Sequence, residues 1–255
     1  MSDFINYSLY REAEDLKRLQ FISSFINNIG NRSLHILDFG CGDGNISFQL
    51  AHEGYHVTAI DLSKEAIQQD RILHSHPNVT YECKSIEEFS MEEHFDIVVC
   101  SEVLEHTINP LSVLRSLVSI LFKNGFFIIT IPNGFGPREM FVTKPVQRMM
   151  RDKQSYSYKV ITTIKRVLGF NGQSVHSSAH NLEHIQFFRL SDICNYAAKL
   201  NLSVVYMGAS NFLEKVFPFS LLAKRCNAIQ KWDCKIADSI PLSWASGFYF
   251  ALKKI

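Results

Sequence analysis

Apolar positions along the chain switch between two spacings, and each switch marks an element. From Ser8 to Ile29, the residues Leu9, Leu16, Leu19, Phe21, Ile22, Phe25 and Ile26 recur at helical spacing, which predicts an amphipathic helix covering the edge of a sheet. Short runs rich in Ile, Val and Leu then alternate with helical patterns. A strand opens at Leu34 and a helix runs from Ile46 to Glu53, closed by Gly54. A strand follows over Tyr55–Asp61, then a helix over Lys64–His74 with Ser63 as its N-cap, and a strand over Val79–Cys83. After the turn Ser85–Phe89 come a strand over Phe95–Cys100, a helix over Pro110–Phe122 stopped by Lys123, Asn124 and Gly125, and a wholly apolar strand over Phe126–Ile131. Further on, Ser191 caps a helix reaching Leu200, Leu202–Met207 reads as a sixth strand, and Gly247–Lys253 as the last. This order predicts an α/β domain built on a largely parallel sheet.

Two stretches do not fit either spacing. Residues 132–189 are irregular and too long for a plain connection, so they are expected to form a cap or substrate-binding insertion. Asn211 to Leu222 is unusually apolar for a strand connection; packing against the sheet edge is the expectation, with a substrate lip, a dimer contact or a lipid-touching patch as the other readings.

The length of 255 residues, 46% of them hydrophobic, allows one such domain with its insertion. The expected parts are an N-terminal helix (1–33), a cofactor-binding half (34–133), a substrate cap (134–190) and a C-terminal half (191–255). With 26 Lys and Arg against 25 Asp and Glu, no overall field draws in a nucleic-acid backbone, so DNA is not an expected partner. Cys41, Cys83, Cys100, Cys194, Cys226 and Cys234 contain no C-x-x-C pair, as expected of reduced thiols. The acidic N-terminus lacks an apolar leader, and no run approaches the ~18 apolar residues of a spanning helix. A soluble, cytoplasmic protein is expected.

The chemistry begins at Leu34–Asn45, LHILDFGCGDGN. An apolar strand breaks into Gly40-Cys41-Gly42-Asp43-Gly44 before a helix. Glycines at alternating positions let the backbone take positive φ and approach a ligand, while the helix behind them presents free N–H groups. The dinucleotide pattern G-x-G-x-x-G is not met, because the third glycine follows after one residue. Asp61, at the predicted carboxyl end of the next strand, stands where a carboxylate can accept from both hydroxyls of a ribose. The segment Asp38 to Gly44 resembles motif I, D-x-G-x-G-x-G, of the class I S-adenosylmethionine-dependent methyltransferases. That resemblance spans Leu34 to Asn133. It implies a Rossmann-like sheet of about seven strands with the last antiparallel beside the fifth, and S-adenosyl-L-methionine as cofactor. The cofactor-binding positions it implies are Asp38, Gly40, Cys41, Gly42, Gly44, Asp61, Leu62, Ser85, Ile86 and Ser101. Ser85 stands where family members usually carry an Asp, and Ile86 is expected against the adenine ring.

Ser101-Glu102-Val103-Leu104-Glu105-His106 follows the fourth strand. If Val103 starts a helical turn, Glu102, Glu105 and His106 share one face at the ligand end of the sheet. E-x-x-E-H at this point is similar to the ubiquinone-pathway O-methyltransferases and to the small-RNA 3′-terminal 2′-O-methyltransferases, where it is associated with a divalent cation that holds the hydroxyl to be methylated. The resemblance implies a metal set of Glu102, Glu105, His106 and His184 for Mg²⁺, Mn²⁺ or Zn²⁺. The plain alternative is that Glu105 and His106 cap and orient the turn. Catalytic candidates are His106, His184 and Glu105, with His180 a further candidate ligand or base.

Within the insertion, Lys144, Arg148, Arg151, Lys153, Lys159, Lys165 and Arg166 outnumber Glu139, Asp152 and Glu183. That balance suits an anionic or phosphate-bearing acceptor, or peripheral contact with an acidic membrane surface, while a solvated helix face is the plain alternative. The expected activity is methyl transfer to a hydroxyl oxygen of a small molecule or sugar. The other readings are an RNA 2′-O-methyltransferase and an idle cofactor-binding subunit that supports a partner.

Overall fold

The computed structural model describes residues 12–88, 94–137, 139–144, 184–213, 216, 219–223 and 226–255. A helix, α1 (Ala13–Ile29), precedes β1 (His35–Phe39), α2 (Asn45–His52), β2 (His56–Asp61), α3 (Lys64–Leu73), β3 (Val79–Cys83), β4 (Phe95–Ser101), α4 (Pro110–Ser119) and β5 (Leu121–Pro132). The expected cap lies largely outside the described residues, and after it in the chain come α5 (Leu190–Lys199), β6 (Leu202–Ala209), the short α6 (Phe219–Ala223), α7 (Asn227–Ala237) and β7 (Gly247–Lys254). The strands form one seven-stranded sheet in the order β3-β2-β1-β4-β5-β7-β6, with β7 antiparallel to both neighbours and the other pairs parallel, as expected.

The central strands read as largely apolar runs because both faces are covered, whereas the edge strands β3 and β6 leave residues exposed. Alternate residues feed two cores. Ile36, Val57, Ile97, Val99 and Ile128 meet Ile22, Ile26 and Leu50 of α1 and α2 on one face. Leu37, Val98, Phe127 and Ile129 meet Leu114, Leu117, Ile193 and Ala197 of α4 and α5 on the other. The first helix therefore lies across the middle of the sheet rather than along its edge. Its predicted start at Ser8 lies outside the described residues.

Three features differ from the sequence expectation. Lys123, Asn124 and Gly125 do not follow a helix but sit inside β5, at a register shift opposite Phe95 and Ile97. Asn124 there has φ 64°, and a Cβ on Gly125 would lie 2.8 Å from the Asp96 carbonyl oxygen, so turn-formers serve a bulge. The cap of α5 is Arg189 rather than Ser191, with the Asp192 carboxylate accepting the Arg189 N–H at 2.7 Å. The third is α7, which the sequence pattern did not reveal: Gln230 and Asp233 are among its buried residues, and Asp233 accepts the N–H groups of Phe212 and Leu213 at 2.8 and 2.9 Å. That contact gives the start of the apolar 211–222 stretch its packing.

The order of strand addition reverses between the parallel neighbours β1 and β4, since β2 and β3 add on one side and β4, β5 and β7 on the other. Ligands of open α/β sheets bind at that switch point, beyond the strand carboxyl ends.

Candidate functional site

At the switch point the turn after β1 is fixed by its backbone. Gly40, Gly42 and Gly44 have φ of 72°, 57° and 67°, a region other L-residues rarely adopt. The Gly40 and Cys41 N–H groups donate to the Ile60 carbonyl at 2.8 and 3.0 Å, and Gly42 N–H donates to Asp61 Oδ2 at 3.1 Å. Asp61 Oδ1 accepts Ser63 N–H at 2.8 Å, while the Ser63 hydroxyl caps α3 through Ala66 N–H. One carboxylate thus ties the glycine turn to the end of β2 and still has lone pairs to offer. Leu62 beside it is 76% exposed.

Asp38 lies beneath the turn, 1% exposed, accepting from the Ser47 hydroxyl through Oδ2, while its buried Oδ1 has no hydrogen-bond partner. Burial pushes its carboxyl up to about 7. Cys41 is buried, its thiol raised by that burial, with Asp70 Oδ2 4.0 Å from its sulfur. A Cβ on Gly44 would lie 2.8 Å from the Asp70 carboxyl carbon, so α3 also closes on the turn from behind.

The other predicted cofactor positions divide. Ser101 at the end of β4 hydrogen-bonds Thr130 of β5 at 2.8 Å. Ser85 N–H faces Glu88 Oε1 at 3.4 Å, and Ile86 is buried in the core with Leu37 and Ile60, whereas Leu62 stands open.

Sequence reading missed Arg18. Its guanidinium, 12% exposed as a side chain, lies 2.8 Å from Asp15 and 3.7 Å from Glu102 Oε2 at the end of β4. Burial works against its charge, but Glu102 and Asp15 outweigh that and hold it protonated. The spacing of Asp15 and Arg18 was visible, but not that this polar face of α1 turns inward. Lys17 anchors the same helix, donating to the carbonyls of Ser210 and Cys234 at 2.9 and 2.8 Å and to Asp238 at 2.6 Å.

On the other side of the switch point, Glu102 has φ 57°, which ends β4 sharply before a single tight turn, Leu104–His106. Glu102 Oε1 accepts from Thr130 at 3.2 Å and Oε2 faces Arg18. Among the described residues, the group able to hold an ion is Glu105, His106 and His184, with ligand atoms within 4.8 Å of one another; Glu102 is not in it. Glu105 is 1% exposed, and burial, reinforced by Glu102, pushes its carboxyl well above the usual carboxylate range. His106 Nε2 lies 3.8 Å from Glu105 Oε1, and the His106 and His184 rings meet edge to face at 5.2 Å. The Glu105 carbonyl also accepts Ile185 and Gln186 N–H at 2.9 and 3.0 Å, which brings in His184, 79 positions after Glu105. His180, Arg148, Arg151, Lys153, Lys159, Lys165 and Arg166 lie outside the described residues.

These residues fit S-adenosylmethionine group by group. A turn of positive-φ glycines gives backbone approach, Asp61 offers acceptors for vicinal hydroxyls, and Leu62 gives an open apolar surface for a heteroaromatic ring. The partnerless Asp38 Oδ1 offers an acceptor for an ammonium, and Arg18 a cation for a carboxylate.

The methyltransferase-domain family model matches residues 10–207. A ubiquinone biosynthesis O-methyltransferase from Xanthomonas axonopodis pv. citri is 36% identical over 120 residues, 46% of this chain and 49% of that protein. One from Xanthomonas oryzae pv. oryzae is 35% identical over 120 residues, with the same coverage of 46% and 49%. The match thus spans about half the length of these curated relatives. Among solved structures, magnesium protoporphyrin IX methyltransferase from Synechocystis PCC 6803 with bound SAH superposes with a TM-score of 0.56 at 14% identity, covering 100% of this chain and 89% of that one. The plantazolicin methyltransferase in complex with a triazolic desmethylPZN analog and SAH gives 0.55 at 17% identity, over 98% and 89%. These two likenesses establish the fold.

Proposed function

The chain belongs to the methyltransferase-domain family, and from that premise we propose that it transfers the methyl group of S-adenosylmethionine to a hydroxyl oxygen of a small-molecule or sugar acceptor. The observation that carries the cofactor half is the Asp61 carboxylate bonded to Gly42 N–H across a turn of positive-φ glycines. When bound, S-adenosylmethionine supplies an electrophilic methyl on a sulfonium. Asp61, Leu62, Asp38 and Arg18 bind and orient it, and the chemistry left to the chain is to align the hydroxyl and remove its proton.

Glu105, His106 and His184 are assigned that second task. One carboxylate and two imidazoles suit Zn²⁺ or Mn²⁺, with Mg²⁺ needing more water ligands. A cation held there would lower the pKa of the acceptor hydroxyl. Glu102 drops from the set because its carboxylate lies outside that group, facing Thr130 and Arg18 instead. Without an ion, His106 or His184 serves as general base.

Oxygen as the target is favoured by the likeness to the Xanthomonas ubiquinone biosynthesis O-methyltransferases. An anionic acceptor is favoured by Lys144 Nζ and the Arg189 guanidinium, 3.9 and 4.2 Å from the centre of the Phe135 ring, neither paired with a carboxylate among the described residues. The test is release of S-adenosylhomocysteine from purified protein with catechol-type, sugar and RNA 3′-end acceptors. Turnover with the small acceptors alone supports this reading, turnover with RNA alone replaces it with the RNA reading, and cofactor binding without turnover on any acceptor leaves the idle-subunit reading.

A further inference from the structure

Glu139 stands outside the Glu105, His106 and His184 group, yet it is a fully buried carboxylate beside it. It opens a short helical turn, Glu139–Thr143, after β5 and is 0% exposed. Its Oε1 lies 3.6 Å from Nδ1 of His184, 45 residues further along the chain. Burying a carboxylate is costly unless it is partnered, so packing alone would favour an apolar side chain here.

Both residues are held from behind. Asn133, 2% exposed, donates to the carbonyls of Ser243 and Ala245 at 2.9 and 2.7 Å and accepts Phe135 N–H at 3.0 Å. Gly136 N–H donates to the Asn133 carbonyl and Met140 N–H to the Gly136 carbonyl, at 2.9 and 3.0 Å, which carries that anchorage to the Glu139 turn. The His184 segment is pinned on one side by the Glu105 carbonyl, and on the other by Gly134 N–H donating to the Phe188 carbonyl at 2.9 Å. These bonds hold the two segments side by side. With Nδ1 turned to Glu139, Nε2 is the nitrogen left for the cluster with His106 and Glu105.

We propose that Glu139 is a positioning residue: its carboxylate accepts from Nδ1–H of His184, fixing the ring's tautomer and orientation so that the Nε2 lone pair faces the acceptor hydroxyl. The proposal rests on the methyl-transfer reading for its functional meaning but not on the choice between metal ligand and general base, because both need an unprotonated Nε2. The separation of 3.6 Å is long for a hydrogen bond and is expected to close when the acceptor binds, as catalytic contacts do.

Two conservative variants separate this role from a simple need for charge or packing. Glu139→Gln keeps an acceptor oxygen at the same reach, whereas Glu139→Asp keeps the charge but draws it back by one methylene. The readout is the His184 tautomer, from ¹⁵N-resolved NMR of the imidazole in the full chain, together with kcat and the KM for S-adenosylmethionine. Glu139→Asp is expected to lose the Nδ1–H preference and to fall about 10–100-fold in kcat with KM little changed, and Glu139→Gln to retain the tautomer and most of the turnover. The reverse order, or a wild-type tautomer in both variants, overturns the proposal. Should the wild type methylate no acceptor at all, the methyl-transfer reading falls, while the order of the tautomer effect still decides whether Glu139 positions His184.

Discussion

The Asp61 carboxylate accepts the Gly42 N–H at 3.1 Å, joining two turns that are nineteen residues apart. Its other oxygen takes Ser63 N–H, so the residue assigned to the cofactor also holds the unliganded loop in shape. Asp61→Ala is therefore expected to destabilise the fold by about 1–3 kcal/mol through the two orphaned amides, read as a shift in the urea midpoint. A variant as stable as the wild type would mean that those bonds are not formed in solution.

Gly40 has less room than its φ alone implies. A Cβ there would sit 2.5 Å from Cγ2 of Val103, and the backbone stays at φ 72°. Gly40→Ala combines about 1–2 kcal/mol of left-handed strain with displacement of Val103, the residue before the Leu104–His106 turn. Both the melting temperature and turnover should fall, because the clash reaches the acceptor side. An unchanged melting temperature would show that the turn relaxes at no cost.

The Asp38 carboxyl has a pKa of about 7 in the folded chain against 3.8 as its ordinary value. Between those values the unfolded chain is ionised while the folded one keeps the proton. This group's contribution to stability therefore falls as pH rises from about 4 to about 7, then levels off. An ammonium placed at Oδ1 favours the ionised form, so S-adenosylmethionine should bind more tightly as pH rises to about 7 and release a fraction of a proton on binding near neutrality. Titration calorimetry in buffers of different ionisation enthalpy measures that release. Asp38→Asn should abolish it, and a release persisting in that variant would assign the proton elsewhere.

Lys17 ties α1 to the C-terminal elements alongside the Ala13–Gln230 and Glu14–Tyr249 hydrogen bonds. Lys17→Met removes its donors to Ser210, Cys234 and Asp238 and is expected to cost about 1–3 kcal/mol, with weaker cofactor binding because α1 also carries Arg18. Denaturation and calorimetry on the same variant would show both effects; a loss of stability with full affinity would separate the helix from the site.

Stripping metal tests the acceptor cluster. EDTA should suppress methyl transfer, Mn²⁺ or Zn²⁺ should restore it, and S-adenosylmethionine binding should be unaffected, because Glu105, His106 and His184 lie across the switch point from Asp61. Full turnover in metal-free protein would assign His106 or His184 as a plain base.

How far the sequence could be read depended on the range of the interactions involved. β3 at Val79–Cys83 and the cap of α3 by Ser63 follow from local pattern alone, and the structure keeps both. Asn124 and Gly125 read as a helix stop because turn-formers look alike wherever they stand, and only the register against Phe95 shows a bulge. The expectation that Glu102 shares a face with Glu105 and His106 assumed helical spacing, which a residue at φ 57° followed by a single tight turn does not give. Arg18, Asp70 and Glu139 had no local signature. Each matters through a partner far along the chain: Glu102, the glycine turn and His184.

If the glycine turn and Asp61 form the S-adenosylmethionine site, isothermal titration of that cofactor into the purified chain finds one site per chain in the wild type. Affinity falls at least tenfold, about 1.4 kcal/mol, in both Asp61→Ala and Gly42→Val at a temperature where each is folded. No binding by the wild type, or wild-type affinity in either variant, would contradict that site assignment.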